Sequence, residues 1–149
     1  MRTSEPAATH AWRSFVRAKA EAGRALHREL REHGLTGAQL AILRVLAQSG
    51  SDGVKLNEIS QQLWVTSGNI TGLVDHLEQA GFVARLPHPE DRRITLAVLT
   101  PAGRDVFEKL HPCHIARIRH LMSALTVREQ KLLADLLSRL ADRAAEMNR

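Results

Sequence analysis

The chain has 149 residues, 44% of them hydrophobic, a single cysteine, a formal net charge of +5 and a pI near 10.3, which suits one domain or one compact two-lobed subunit with a real core. Cys113 alone excludes an internal disulfide framework and a multi-cysteine zinc site. No run of about 18 apolar residues and no apolar leader with a cleavage site is present, so membrane spanning and secretion are not expected and a cytoplasmic protein is, while the basic balance favours a polyanionic partner.

In chain order, residues 9–32 place Trp12, Phe15, Ala22, Leu26 and Leu30 near one helical stripe, within a segment (residues 1–34) of seven basic and four acidic side chains, and predict a long amphipathic helix. Leu35-Thr36 opens a second helix with Leu40, Ile42, Leu43, Val45 and Leu46 as core candidates. It ends before Gly50-Ser51-Asp52-Gly53, which is turn chemistry, and Val54-Lys55 is expected to add a very short strand.

Leu56 to Leu63 predicts a short helix with Leu56, Ile59 and Leu63 inward, joined through Trp64 and Val65 to a second one. Thr66 is a natural N-cap there, Val65 and Ile70 can form a hydrophobic staple, and Gly81 closes the far end. Ile70, Leu73, Val74 and Leu77 recur at three and four residues and must face a core, which leaves Ser67, Gly68, Asn69, Thr71, Gly72 and His76 outside. The pair has the length and turn of a helix-turn-helix. Residues 82–86 and 94–99 read as strands of a hairpin, with Ile94, Leu96 and Val98 alternating against Thr95, Ala97 and Leu99, and between them lies Pro87-His88-Pro89-Glu90-Asp91-Arg92-Arg93.

Thr100 followed by Pro101 starts a long helix through Val106, Phe107, Leu110, Ile115, Ile118 and Leu121, which Pro112 should bend or strain. Thr126-Val127-Arg128-Glu129 is a capping box for the last helix, whose Leu132, Leu133, Leu136, Leu137 and Leu140 form a continuous stripe. That stripe exceeds what a thin helical pair hides, so the terminal helices are read as a layer that pairs two copies. Two-fold pairing would set two recognition helices in successive major grooves.

Charge distribution sharpens the picture. Residues 56–84 contain no Lys or Arg but hold Glu58, Asp75 and Glu78, a net −3. Phosphate neutralisation must then come from the borders, at Lys55, Arg85, Arg92 and Arg93, with the basic N-terminal helix as a further source. The helix would read bases through Ser67, Asn69, Thr71 and His76, since Asn pairs bidentately with adenine and a Thr methyl meets a thymine methyl.

The Asp91-Arg92-Arg93 segment, the strand ending Leu99-Thr100 and the glycine at Gly103 resemble the MarR family of winged helix-turn-helix transcription regulators over roughly residues 10 to 145. The resemblance implies a mainly α fold with a small β wing, divided as an N-terminal dimerisation helix (1–34), a winged DNA-binding domain (35–100) and C-terminal dimerisation helices (101–149). It implies that Arg93 enters the minor groove of double-stranded DNA and that Asp91 holds it in place. It further implies a homodimeric repressor released from a pseudo-palindromic operator by a small-molecule effector, commonly aromatic. Gly72 stands where many relatives carry a larger or basic residue, so one contact common in the family is expected to be missing.

The effector pocket is not located by the sequence; Trp12 and Phe15 are conceivable lining residues, with core or interface packing the simpler reading. His111, Cys113, His114 and His120 invite a metal reading, and His111 and His114 share a helical face. Cys113 points elsewhere in an ideal helix, however, and Pro112 disturbs the geometry, so surface or interface histidines are expected and no metal or cofactor. Cys113 is expected to be a partly buried, inert thiol rather than an oxidant sensor. A metal- or redox-responsive regulator of the same fold, or a winged helix used only for protein contact, are the alternatives. No glycine-rich phosphate loop or Gly-x-Ser-x-Gly elbow is present, and an enzyme is not expected.

Overall fold

The computed structural model describes residues 6–148, with the side chain of Ser67 excepted. The first helix, α1 (Ala7–Leu26), is followed by a one-turn α2 (Arg28–Glu32) rather than running unbroken to residue 32. The chain turns at His27, whose ring lies where a side chain on Gly37 would stand, and the turn delivers Leu30 into the core at 2% exposure. Gly37 is thus small because an imidazole occupies its flank.

Helix α3 (Gly37–Ser49) begins at Thr36 with a reciprocal capping box: the Gln39 N–H donates to Thr36 Oγ1 at 3.2 Å, and the Thr36 N–H donates to Gln39 Oε1 at 2.8 Å. Strand β1 (Val54–Lys55) leads directly into α4 (Leu56–Leu63), and α5 (Ser67–Gln79) follows across a short turn. Strands β2 (Val83–Pro87) and β3 (Thr95–Leu99) each begin one residue later than the sequence suggests. Phe82 is instead a junction: its N–H donates to the Leu77 carbonyl that ends α5, and its own carbonyl accepts from Thr100. The sheet has the order β1-β3-β2, antiparallel throughout, with Val54 opposite Ala97 and Val83 opposite Leu99.

The core fills the space enclosed by α3, α4, α5 and this sheet. Leu40, Ile42, Leu43, Leu46, Ile59, Ile70, Val74, Leu77 and Ala97 are all buried within it, and Leu56, Leu63, Leu73 and Leu99 pack on its margin. The helical periods read from the sequence therefore converge on one apolar centre, to which β3 contributes Ala97 and Leu99 and not the alternate set Ile94, Leu96 and Val98. Burial of this kind is worth about 1.5–3 kcal/mol for each large side chain and is the main stabilising term.

Helix α6 (Pro101–Met122) is capped by Thr100, whose Oγ1 accepts from the Gly103 N–H at 3.0 Å and donates to the Gly81 carbonyl at 2.7 Å. Gly103 is buried against the Phe82 carbonyl with no room for a Cβ. Val106, Phe107 and Leu110 then pack on the core. As the apolar period predicts, the helix continues through Pro112 to Met122. Pro112 and Glu108, four residues before it, are both exposed, so water can satisfy the carbonyl that loses its donor.

Two compact units divide within α6, the first ending at His114 and the second starting at Ile115. The second unit comprises the end of α6 and α7 (Val127–Met147), whose Thr126–Glu129 capping box forms as expected. Gln130 Nε2 donates to the carbonyls of Met122 and Leu125, each at 3.0 Å, and fixes the turn between the two helices. Neither α1 nor α7 contains a buried residue.

Candidate nucleic-acid interface

Helix α5 starts where the sequence places it, with Thr66 Oγ1 accepting from the Asn69 N–H at 3.4 Å and Gly81 at φ 77° just beyond its end. Its inward stripe is closed: Ile70, Val74 and Leu77 are at most 1% exposed. Gly68, Asn69, Thr71, Gly72 and His76 are all positioned on the other side, away from that core, and the side chain of Ser67 lies outside the described residues. No atom lies within 4 Å of a Cβ built on Gly68 or Gly72, so the fold itself makes no demand for glycine at either position. A glycine in a helix interior costs about 1 kcal/mol relative to alanine. At Gly72 that cost yields a shallow outer surface, low enough for a groove wall to approach the backbone.

The wing tip is ordered by its own hydrogen bonds. His88 N–H donates to the Ile94 carbonyl at 2.9 Å, and Ile94 N–H to the Asp91 carbonyl at 3.0 Å. Within that frame Asp91 takes Arg93 in a fork: Nε to Oδ1 at 3.1 Å, Nη2 to Oδ2 at 3.1 Å, and the Arg93 backbone N–H to Oδ1 at 3.0 Å. These bonds, side chain first and then backbone, hold the Asp91 carboxyl below the usual carboxylate range. The Arg93 side chain remains 91% exposed, so it is aimed but not covered. A guanidinium already fixed by a carboxylate needs less ordering when a polyanion arrives.

The four border cations are not equivalent. Lys55 lies 3.6 Å from Glu58, and it shares the lining of an open cleft with Asn57, Arg93 and Thr95. The structure thus brings together two cationic residues that are far apart in sequence. Arg85, expected to serve as a phosphate contact, is also tied to α5: Nη2 is 2.7 Å from Asp75 Oδ1, Nη1 is 2.5 Å from Glu78 Oε2, and Nη2 also donates to the Thr71 carbonyl at 3.4 Å. Partial burial of Arg85 pushes its pKa down, but the bonds to Asp75 and Glu78 outweigh it and the net shift is upward. Arg92 is exposed and makes no ion pair among the described residues.

This pairing recasts the charge of the reading head. The three carboxylates that give residues 56–84 their net −3 each face a cation from just outside that segment, Glu58 from Lys55 and the other two from Arg85. With two cations set against three carboxylates, their repulsion of phosphate is reduced at short range.

Sequence reasoning missed Trp64. It adopts φ 56°, the left-handed region, and is 90% exposed. That conformation costs a non-glycine residue on the order of 1–2 kcal/mol, and nothing in the turn offsets it by burial. The sequence carried no signal for it, because a left-handed turn position is ordinarily announced by Gly or Asn.

The remaining candidates lie elsewhere. Trp12 and Phe15 form a tilted pair on α1 with centroids 5.7 Å apart, Trp12 being 56% exposed. His111 is half-buried with its ring 4.7 Å from that of Phe107. Cys113 is exposed, not partly buried as expected. Among the described residues no group of three or more His, Cys, Asp or Glu side chains is placed to hold a metal ion, and no helix is long and apolar enough to cross a membrane.

Known proteins of similar sequence and fold share this architecture. The sequence model of the MarR family matches residues 35–95. The uncharacterized HTH-type transcriptional regulator YkoM of Bacillus subtilis is 35% identical over 89% of this chain and 84% of its own length. The HTH-type transcriptional repressor YetL of the same organism is 33% identical over 72% of this chain and 67% of its own. Among solved structures, the MarR family regulator Sco3205 of Streptomyces coelicolor, determined in complex with DNA, superposes with a TM-score of 0.85 at 27% identity, covering 95% of this chain and 91% of that one.

Proposed function

The chain belongs to the MarR family of DNA-binding transcription regulators, and from that premise we propose that it acts as a homodimeric repressor on a pseudo-palindromic operator. In this reading α5 lies in the major groove and Arg93 enters the adjacent minor groove. The observation that carries it is the fork between Asp91 and Arg93, which holds a 91% exposed guanidinium in one direction. Base reading falls to Asn69 and Thr71, with Ser67 and His76 beside them, over a surface kept low by Gly68 and Gly72. Phosphate contact falls to Arg92 and, across the cleft it shares with Arg93, to Lys55.

Pairing of two copies is supported by the terminal helices. Leu132, Leu136 and Leu140 of α7 are 45–56% exposed in the single chain, with Leu133 and Leu137 at 36% and 38%. A stripe of that size stands in water only at a cost that a second copy removes. Residues 1–34 and 101–149 are assigned to that role and 35–100 to the duplex. That YetL is a repressor supports repression here. Release by a small aromatic molecule completes the proposal, with Trp12 and Phe15 as its candidate contacts.

Selection of duplexes from a random pool by the purified protein tests this reading. Two inverted half-sites about one helical turn apart are expected, together with a dimeric mass in solution and binding that weakens steeply with salt. A monomer at micromolar concentration, or no enrichment of any duplex, overturns it. Phenolic compounds added to the complex should then release the selected duplex.

A further inference from the structure

We infer that Trp64 is a DNA contact, its indole packing against the sugar–phosphate wall of the major groove that α5 enters; this rests on the proposed duplex-binding reading and extends it. The residue is exposed to 90% and its backbone is left-handed at φ 56°. A glycine would relieve the backbone, and a polar residue would suit the exposure. The fold therefore gains nothing from an indole at this position, and a partner is the remaining beneficiary.

Its place in the chain says which partner. Trp64 stands two residues before Thr66, the N-cap of α5, and its own N–H closes α4 on the carbonyls of Ser60 and Gln61. In a helix-turn-helix the first helix crosses the phosphate backbone while the start of the second meets base edges. The turn between them must then lie at the groove wall. Two residues of extended chain span at most about 7 Å, which keeps Trp64 within side-chain reach of the strand that flanks Gly68 and Asn69. An open hollow lined by Ser60, Gln61, Val65 and Thr66 beside the indole leaves room for a deoxyribose. The ring offers an apolar face to the sugar and one N–H donor to a phosphate oxygen. Bound in this way it adds affinity that depends little on salt, unlike the contacts of the wing.

The test is fluorine NMR on the full chain labelled with fluorotryptophan, with the Trp64 resonance identified by its disappearance in Trp64→Gly. Addition of the selected duplex should move the Trp64 signal at stoichiometric ratio. Trp64→Gly should melt at or above the wild-type temperature yet bind several-fold more weakly, as loss of one apolar contact and one N–H donor requires, with the salt slope unchanged. A Trp64 signal that stays in place on a duplex the protein binds, with Trp64→Gly binding as tightly as wild type, overturns the inference and leaves the proposed function standing. A signal that moves with protein concentration in the absence of duplex assigns Trp64 to contact between copies and overturns it as well. Failure of the wild-type chain to bind any duplex overturns both readings together.

Discussion

Arg85 Nη2 lies 2.7 Å from Asp75 Oδ1, tying the first strand of the wing to the helix whose end it follows. With the bond to Glu78 it makes one guanidinium serve two carboxylates on successive turns of α5. Arg85→Met should lower stability by about 1 kcal/mol, the scale of partly exposed ion pairs. It should also weaken duplex binding several-fold, because Asp75 and Glu78 then face phosphate uncompensated. Adding Asp75→Asn and Glu78→Gln should restore the affinity without restoring the stability. Fluorescence anisotropy on a labelled operator and thermal unfolding separate the two effects; no recovery in the triple variant would place Arg85 among the phosphate contacts after all.

Gly72→Ala separates folding from binding in the opposite sense. A Cβ there meets open space, so helix propensity alone should stabilise the variant by about 1 kcal/mol. If the low surface of α5 is what lets the groove close on it, affinity for the operator should fall even as the melting temperature rises. A variant that is both more stable and equally tight would show that the duplex stands off from this part of the helix.

Gly103→Ala should be destabilising, and its effect should reach the wing. A Cβ at this position runs into the Phe82 carbonyl, the same atom that accepts the Thr100 N–H. Overpacking of this kind typically costs about 1–3 kcal/mol, and the start of α6 has no alternative seat. The check is the denaturation midpoint together with hydrogen exchange at Thr100, which should become faster in the variant.

Much of this was legible in the sequence, and the reasons differ by element. The bounds of α5 followed from local signals, since Thr66, the apolar period and Gly81 all act within a few residues of the helix they delimit. The same holds for the capping box at Thr126 and for Thr100-Pro101. What could not be read were relationships formed only when distant segments meet. Arg85 appeared to be a free border cation because its partners lie seven and ten residues back, on another element. The His27 ring packs against Gly37, ten residues on and on another helix, a contact that no local pattern announces. Trp64 escaped because its conformation contradicts local propensity, and such contradictions concentrate where function outweighs stability.

The Asp91 carboxyl, drawn down chiefly by its side-chain bond to Arg93, sets a pH dependence with a definite sign. A carboxyl whose folded pKa is depressed contributes order that is fully present above its ordinary pKa, about 4, and is lost as pH falls through the lower folded value. The Asp91–Arg93 pair should therefore be insensitive to pH across the neutral range and fail only in acid. Following the Asp91 carboxyl carbon by NMR should give a midpoint below that of Asp in an unfolded peptide. In Asp91→Asn that acid transition should vanish, and operator affinity at neutral pH should drop several-fold because the guanidinium is no longer aimed.

The division of labour between helix and wing is tested most directly by the salt dependence of operator binding in wild type, Arg92→Ala and Arg93→Ala. If the wing supplies the electrostatic grip, each substitution should weaken binding at moderate salt and reduce the slope of log affinity against log salt by about 1 for every phosphate that is no longer neutralised. Arg93→Ala should in addition lose discrimination for a narrow minor groove. Specific binding by Arg93→Ala that matches wild type in both affinity and slope would contradict the account at its centre.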